Sequence, residues 1–232
     1  MSNPQPIATP ASAEDVVQSL QALRRFAKPR SMARERCELC SLPIGPEHRH
    51  LLEMEKRKIV CACDPCAMRF TDVVGGRFKL IPRDAHPLTN FQMTDAQWEE
   101  FVLPINLVFF FRHSHADKMM ALYPSPAGAT ESLLPLNAWE ALVRDNPALA
   151  QMEPDVQALL VNRVGEKRLY YLAPIDVCFE LVGLIRANWR GFSGGAEVWK
   201  KLDEFFARLN GGKALSVQQN AAGERQPEAC HA

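Results

Sequence analysis

The chain has 232 residues, which is enough for one large domain or for a small module joined to a larger domain with its own core. Its 27 basic and 27 acidic residues cancel, so it lacks the overall positive field that non-specific nucleic-acid binding uses. The longest apolar run, residues 101–111, is much shorter than the roughly 20 residues of a membrane-spanning helix. The start of the sequence shows no secretory signal, so we expect a soluble, cytoplasmic protein without a membrane partner.

Before the first cysteine, one helix is predicted. Residues 1–12 are rich in Pro, Ser and Ala, a composition typical of disorder. A helix and a linker are expected over residues 13–33, because Ser12 can cap the helix and apolar residues recur at helical spacing until Pro29.

Five of the seven cysteines lie between residues 37 and 66, and four of these form two C-x-x-C pairs separated by 22 residues. In a reducing compartment such clustering indicates metal binding rather than disulfides. Each pair brings two thiolates to one ion from a tight turn, and two pairs complete the tetrahedral shell that zinc prefers. The predicted ligands of a structural zinc ion are Cys37, Cys40, Cys63 and Cys66.

The segment between the pairs predicts a β-hairpin, with strands at about 48–53 and 58–62. Residues 34–70 are therefore interpreted as a zinc ribbon, a hairpin flanked by two cysteine knuckles. Iron in a rubredoxin-like site, or a cluster, is the alternative occupant. A closed shell of four cysteines has no open position for water or substrate, so it favours fold support or partner recognition over hydrolysis.

Three further residues near the pairs leave alternatives open. Cys61 would share a strand face with Cys63 and so compete for the ion, but we interpret it as a packed thiol or a thiol beside the ligands. His48 and His50 also share a face, and they could replace a cysteine or build a second site with Cys61. The preferred interpretation of the two histidines is a solvated or hydrogen-bonded pair on the hairpin.

Residues 71–211 are predicted to form an α+β domain with an antiparallel sheet and C-terminal helices, before a disordered tail at residues 212–232. A helix over 93–101 is expected to be capped by Thr94, and another over 136–144 by Asn137. The remaining predictions are strands at 77–82, 106–114 and 118–125, a turn or loop at 123–132, a hairpin over 156–174, and helices at 174–191 and 195–212.

Two groups of polar residues in this domain are considered as candidate functional sites. Arg112, His113 and His115 lie at a strand end, where histidines at a turn are more often solvated than catalytic. Asp176 and Glu180 are four residues apart on an otherwise apolar helix and need partners such as an arginine if they are buried. With the loop at 123–132, these carboxylates are our predicted recognition surface.

Three blocks carry a family resemblance: "RCELCSLPIGPEHRHLLEMEKRKIVCACDPCAMRF", "NLVFFFRHSHADKMMALYPSPAGATESLLPLNAWEAL" and "PIDVCFELVGLIRANWRGFSGGAEVW". Over about residues 34–210 the sequence resembles an uncharacterised bacterial family, named only as a domain of unknown function, whose members are encoded beside high-affinity, oxygen-tolerant NiFe-hydrogenases and a NifU-like protein. The segment from "PINLVFFF" to "YPSPAG" is similar to the HybE-type hydrogenase assembly chaperones. The resemblance implies a role in hydrogenase maturation and assigns no reaction.

The sequence thus predicts a non-enzymatic zinc-binding accessory protein whose partner is a hydrogenase subunit or another maturation factor. A redox or iron-delivery protein that uses the clustered cysteines is the second hypothesis. Nucleic-acid binding through the ribbon ranks third, because the basic residues of the module are matched by acidic ones.

Overall fold

The computed structural model describes residues 35–71, 76–132, 135–191 and 193–211. All of them belong to the unit that begins at Glu35. The predictions made for residues 1–12, 13–33 and 212–232 lie outside the described residues.

The described chain combines helices with runs of antiparallel strands, which confirms the α+β class. The strands are β1 (Arg49–Glu53), β2 (Lys58–Ala62), β3 (Phe78–Leu80), β4 (His86–Pro87), β5 (Leu107–His113), β6 (Lys118–Ser125), β7 (Gly128–Ser132), β8 (Gln157–Asn162) and β9 (Leu169–Pro174). The helices are α1 (Asp64–Thr71), α2 (Asp95–Glu99), α3 (Leu136–Asp145), α4 (Ile175–Asn188) and α5 (Gly195–Asn210), with a 3₁₀ turn at Pro147–Gln151.

The strands form two sheets. The smaller has the order β2-β1-β3, and the larger has the order β4-β9-β8-β5-β6-β7. We call residues 35–70, which hold the two cysteine pairs and the β1–β2 hairpin, the cysteine module. The strand predicted at 77–82 pairs with β1, so the sheet of this module takes its third strand from beyond residue 70. None of the helices in the described ranges is long and apolar enough to cross a membrane.

The central strands of the larger sheet, β5 and β8, are buried on both faces, which explains the unbroken apolar run of β5. Phe109 and Phe111 of β5 join one core with the inner sides of α4 and α5. Val108 and Phe110 point the other way and join a second core with Trp98 and the apolar side of α3. Leu52 of β1 and Ile81, which follows β3, belong to the first core as well, so this core extends to the smaller sheet.

One local prediction is wrong and another is partly right. Asn137 lies inside α3 rather than at its N-cap, which is Pro135 without a side-chain cap. The segment 123–132, predicted as a turn or loop, has its turn at residues 126–127, but the residues on either side are paired strands, with Pro124 opposite Ala129. Strand β6 tolerates this proline because its pairing with β5 ends at Leu122, so only β7 is paired beside Pro124. The Thr94 capping box, in contrast, is confirmed.

Candidate metal centre

The four cysteines of the two pairs converge although 22 residues separate the pairs. All four sulfur atoms lie within 4.8 Å of one another. The Cys40 and Cys63 Sγ atoms are 3.7 Å apart, which matches an edge of about 3.8 Å in a tetrahedron with metal–sulfur distances of about 2.3 Å. The donor set and its geometry therefore fit one tetrahedral metal ion.

The first pair lies in a tight, hydrogen-bonded turn. The Cys37 N–H donates to the Leu42 carbonyl at 2.8 Å, and the Ser41 N–H donates to the Cys37 carbonyl at the same distance. Ser41 adopts a left-handed φ of 63°, which turns the chain back on itself after Cys40. This turn aims both sulfurs of the pair in one direction.

The second pair lies where β2 gives way to α1. Cys63 is between the two elements, and Cys66 occupies the first turn of α1. The Ala67 N–H donates to the Cys63 carbonyl at 2.9 Å, so the helix begins at once and carries Cys66 round towards Cys63. The first turn of α1 thus completes the second knuckle.

Glu38, between the two cysteines of the first pair, attaches the knuckle to the hairpin. Its N–H donates to the Cys61 carbonyl at 2.9 Å, and its Oε1 accepts from the Cys61 N–H at 3.0 Å. Its Oε2 also accepts from the Lys58 ammonium. These contacts hold the first knuckle against β2 and therefore near the second knuckle.

The protein favours the thiolate form of one cysteine even without a metal. Burial raises the pKa of Cys37, but the backbone N–H groups of Cys63, Cys40 and Leu39 outweigh it and bring the pKa to about 6. The pKa of Cys66 is raised, first by burial and then by its neighbouring sulfurs. When a metal ion binds to the group, the cysteines that are still thiols release their protons, because metals bind cysteine as thiolate.

Cys61 lies apart from this group. Strand β2 ends at Ala62, so Cys61 still follows the strand alternation while Cys63 does not. Cys61 is buried and disulfide-bonded in this structure, so the prediction of a thiol at this position is wrong, whereas burial is as expected. Its Sγ lies within 4.8 Å of ligand atoms of His48 and His50, in a second cluster.

The two groups weighed in the larger domain have internal partners. Arg112 pairs with Asp117 at 2.7 Å, and His113 Nδ1 accepts from the Ala116 N–H at 3.2 Å, so both support the β5–β6 turn. Burial lowers the pKa of His113, and the nearby Arg57 lowers it further. This favours the neutral ring that accepts the Ala116 bond.

The two carboxylates of the predicted recognition surface also form contacts within the chain. Asp176 Oδ2 lies 2.6 Å from His50 Nδ1, and Glu180 pairs with Arg208 of α5. Among the described contacts, Asp176 therefore pairs with a histidine of β1, and Glu180 pairs with an arginine, although this arginine belongs to α5 and is not one of the three we considered, Arg112, Arg186 and Arg190. No sequence signal connects Asp176 with His50, because 126 positions separate them. In contrast, the hairpin register alone places His50 opposite Cys61.

Comparison with known proteins adds one finding. No curated protein and no solved structure matches the chain. A family model matches residues 36–213, which include both cysteine pairs and both sheets. The chain therefore belongs to the family described as "Family of unknown function (DUF5947)".

Proposed function

We propose that this protein is a non-enzymatic accessory protein that binds a structural zinc ion and serves the assembly or maturation of a metalloenzyme. The group of four converging cysteines carries the proposal. With all four coordination positions taken by protein sulfur, such a site holds a fold together and offers none to a substrate. The choice of a NiFe-hydrogenase as the enzyme served rests on the sequence resemblance over residues 34–210.

The surface of the cysteine module supports a role in protein binding. Among the described residues, six large apolar side chains are exposed, and three of them lie on the module: Leu42, Met68 and Phe70. Met68 is 67% exposed and lies two residues after the ligand Cys66. A metal-stabilised module that presents apolar side chains to solvent suits recognition of a protein partner.

Metal analysis separates zinc from the iron-based alternative. Protein purified without air should be colourless and contain zinc at the four cysteines. Iron, together with the visible absorption of an iron–thiolate site, would instead favour the redox or iron-delivery function.

Affinity purification tests the partner. We expect tagged protein, expressed in cells that assemble a NiFe-hydrogenase, to recover a hydrogenase subunit or a maturation factor. Met68→Glu should reduce that recovery, because it places a charge on the module's exposed apolar surface. Val102→Glu is the matched control, since Val102 is also exposed but lies outside the module, before β5. Recovery of no such protein by the wild type would overturn the proposal.

A further inference from the structure

The second cluster lies on the opposite face of the β1–β2 hairpin from the four cysteines. Cys37 and Cys63 pack with Leu51, Val60 and Ala62, which form one face of the hairpin. His50 stands directly across from Cys61 in the antiparallel register, and strand alternation puts this pair on the other face. His48, two residues before His50, points the same way.

The hydrogen bonds of the two histidines decide which ring nitrogens carry hydrogen. His48 Nδ1 lies 2.8 Å from the Gly45 carbonyl oxygen, and His50 Nδ1 lies 2.6 Å from Asp176 Oδ2. A carbonyl oxygen and a carboxylate only accept hydrogen bonds, so both Nδ1 atoms must be donors. In the neutral rings, each Nε2 then presents a lone pair.

These two lone pairs point at each other. The His48 and His50 Nε2 atoms are 3.1 Å apart, and the rings meet at an interplanar angle of 87°. Two lone pairs at this distance repel unless a proton or a metal ion lies between them. A tetrahedral ion with metal–nitrogen distances of about 2.0–2.1 Å separates its nitrogen ligands by about 3.3 Å, close to the observed value.

We propose that His48 Nε2, His50 Nε2 and Cys61 Sγ form a second metal site, for a divalent transition-metal ion of the zinc type. Asp176 is the positioning residue. It fixes the ring of His50 through Nδ1, as carboxylates commonly do for metal-bound histidines, and it is itself held at the first turn of α4 by the Val177 N–H at 2.8 Å. The side chain of His48 is 6% exposed and that of His50 is 27% exposed, so solvent reaches the cluster at His50.

The described residues supply three ligands to this ion, one fewer than the four-cysteine group. A tetrahedral shell then takes one further ligand, so this ion should exchange more readily than the ion held by four cysteines. The site forms in the reduced chain, because sulfur binds such an ion as a thiolate and Cys61 is disulfide-bonded in this structure. A phosphine reductant supplies the two electrons and becomes its phosphine oxide with the oxygen of one water molecule, and the two protons of that water convert the disulfide to two thiols. The Cys61 thiol releases its proton to solvent when the ion binds. This inference does not depend on the proposed accessory function.

Cobalt(II) titration of the metal-free full chain, kept reduced with a phosphine, tests the proposal. The wild type should bind two ions per chain, of which the tighter has the strong sulfur-to-cobalt absorption of four thiolates. His48→Gln/His50→Gln should bind one ion and keep that absorption, which also shows that the cysteine module is folded. His113→Gln/His115→Gln is the matched control, since it removes a histidine pair of the same spacing and should leave two ions.

Asp176→Asn gives a second, milder variant. It should weaken the affinity for the second ion by about 10- to 100-fold and leave the affinity for the first unchanged. With zinc(II), nitrogen NMR of the imidazoles should show a shift at Nε2 of His48 and His50 while Nδ1 stays protonated. One ion per wild-type chain, or two ions in His48→Gln/His50→Gln, would overturn the proposal; the Nε2 atoms would then share a proton instead.

Discussion

Cys61 and Cys63 are two positions apart in the chain and yet belong to different clusters. The separation follows from the end of β2 at Ala62: Cys61 obeys the alternation of the strand, and Cys63 turns into the start of α1. The two C-x-x-C pairs could be predicted from spacing alone. The exact end of the strand could not, because it is set by the contacts of Glu38 and by the helix that follows.

Serine substitutions at these two cysteines should have different effects. Cys63→Ser removes one of four thiolates, and we expect loss of tight zinc binding and of the folded cysteine module. Cys61→Ser leaves those four sulfurs in place and should keep the ion. Zinc content after exhaustive dialysis, with the thiolate absorption of the cobalt-substituted protein, measures both effects. Retention of this ion in Cys63→Ser together with its loss in Cys61→Ser would show that the ligand set is wrong.

The connection between α4 and α5 shows how one glycine shapes an element. Gly194 has a left-handed φ of 85° and precedes the first residue of α5. A Cβ at this position would lie 2.8 Å from a methyl carbon of Val198 and 3.1 Å from the ring of Trp189. The backbone and the packing therefore both require glycine here.

Alanine at Gly194 should destabilise the fold more than alanine at Gly191. Gly191 also has a positive φ, of 61°, but a Cβ there would meet nothing within 4 Å. We expect Gly191→Ala to lower the free energy of unfolding by about 1 kcal/mol from backbone strain alone. Gly194→Ala adds overpacking against a buried valine and should lower it by about 2–4 kcal/mol. Urea unfolding followed by circular dichroism measures both, and equal losses would contradict the assigned contact.

Among the elements, those with strong local signals were predicted well. The hairpin strands, the long helices α4 and α5 and the Thr94 capping box follow from periodicity and capping residues. Pro124 was misleading, because proline also fits in a strand where one of its two neighbouring strands has ended, as β5 has beyond Leu122. The pairing of β3 with β1 is a long-range contact that period-2 patterns cannot specify, since they identify a strand without naming its neighbour.

At the scale of the whole molecule, the two sheets have different sources of stability. The larger sheet is covered on both faces by apolar cores. The buried residues on the knuckle side of the smaller sheet form a small core, of which two members are the proposed ligands Cys37 and Cys63. Small modules of this kind commonly need a metal to fold. The α+β class was predictable from the order of elements, whereas this division of stability appears only in the packing.

Removal of the metal should therefore unfold the knuckles and spare the larger sheet. After treatment of the reduced protein with a chelator, we expect faster hydrogen exchange at the amides of Cys37, Glu38 and Ala67, whose hydrogen bonds close the two knuckles. The amides of β5 and β8 should keep their protection, because both faces of these strands stay buried. Exchange mass spectrometry measures the two regions in one experiment.

Two controls separate the four-cysteine ion from any second ion that the chelator removes. Zinc added back should restore slow exchange in the knuckles. Cys63→Ser, which retains His48, His50 and Cys61, should reproduce the exchange pattern of the chelated wild type without a chelator. Unchanged exchange in the knuckles would show that the ion does not stabilise the module, and equally fast exchange in β5 and β8 would show that the two sheets unfold as one unit.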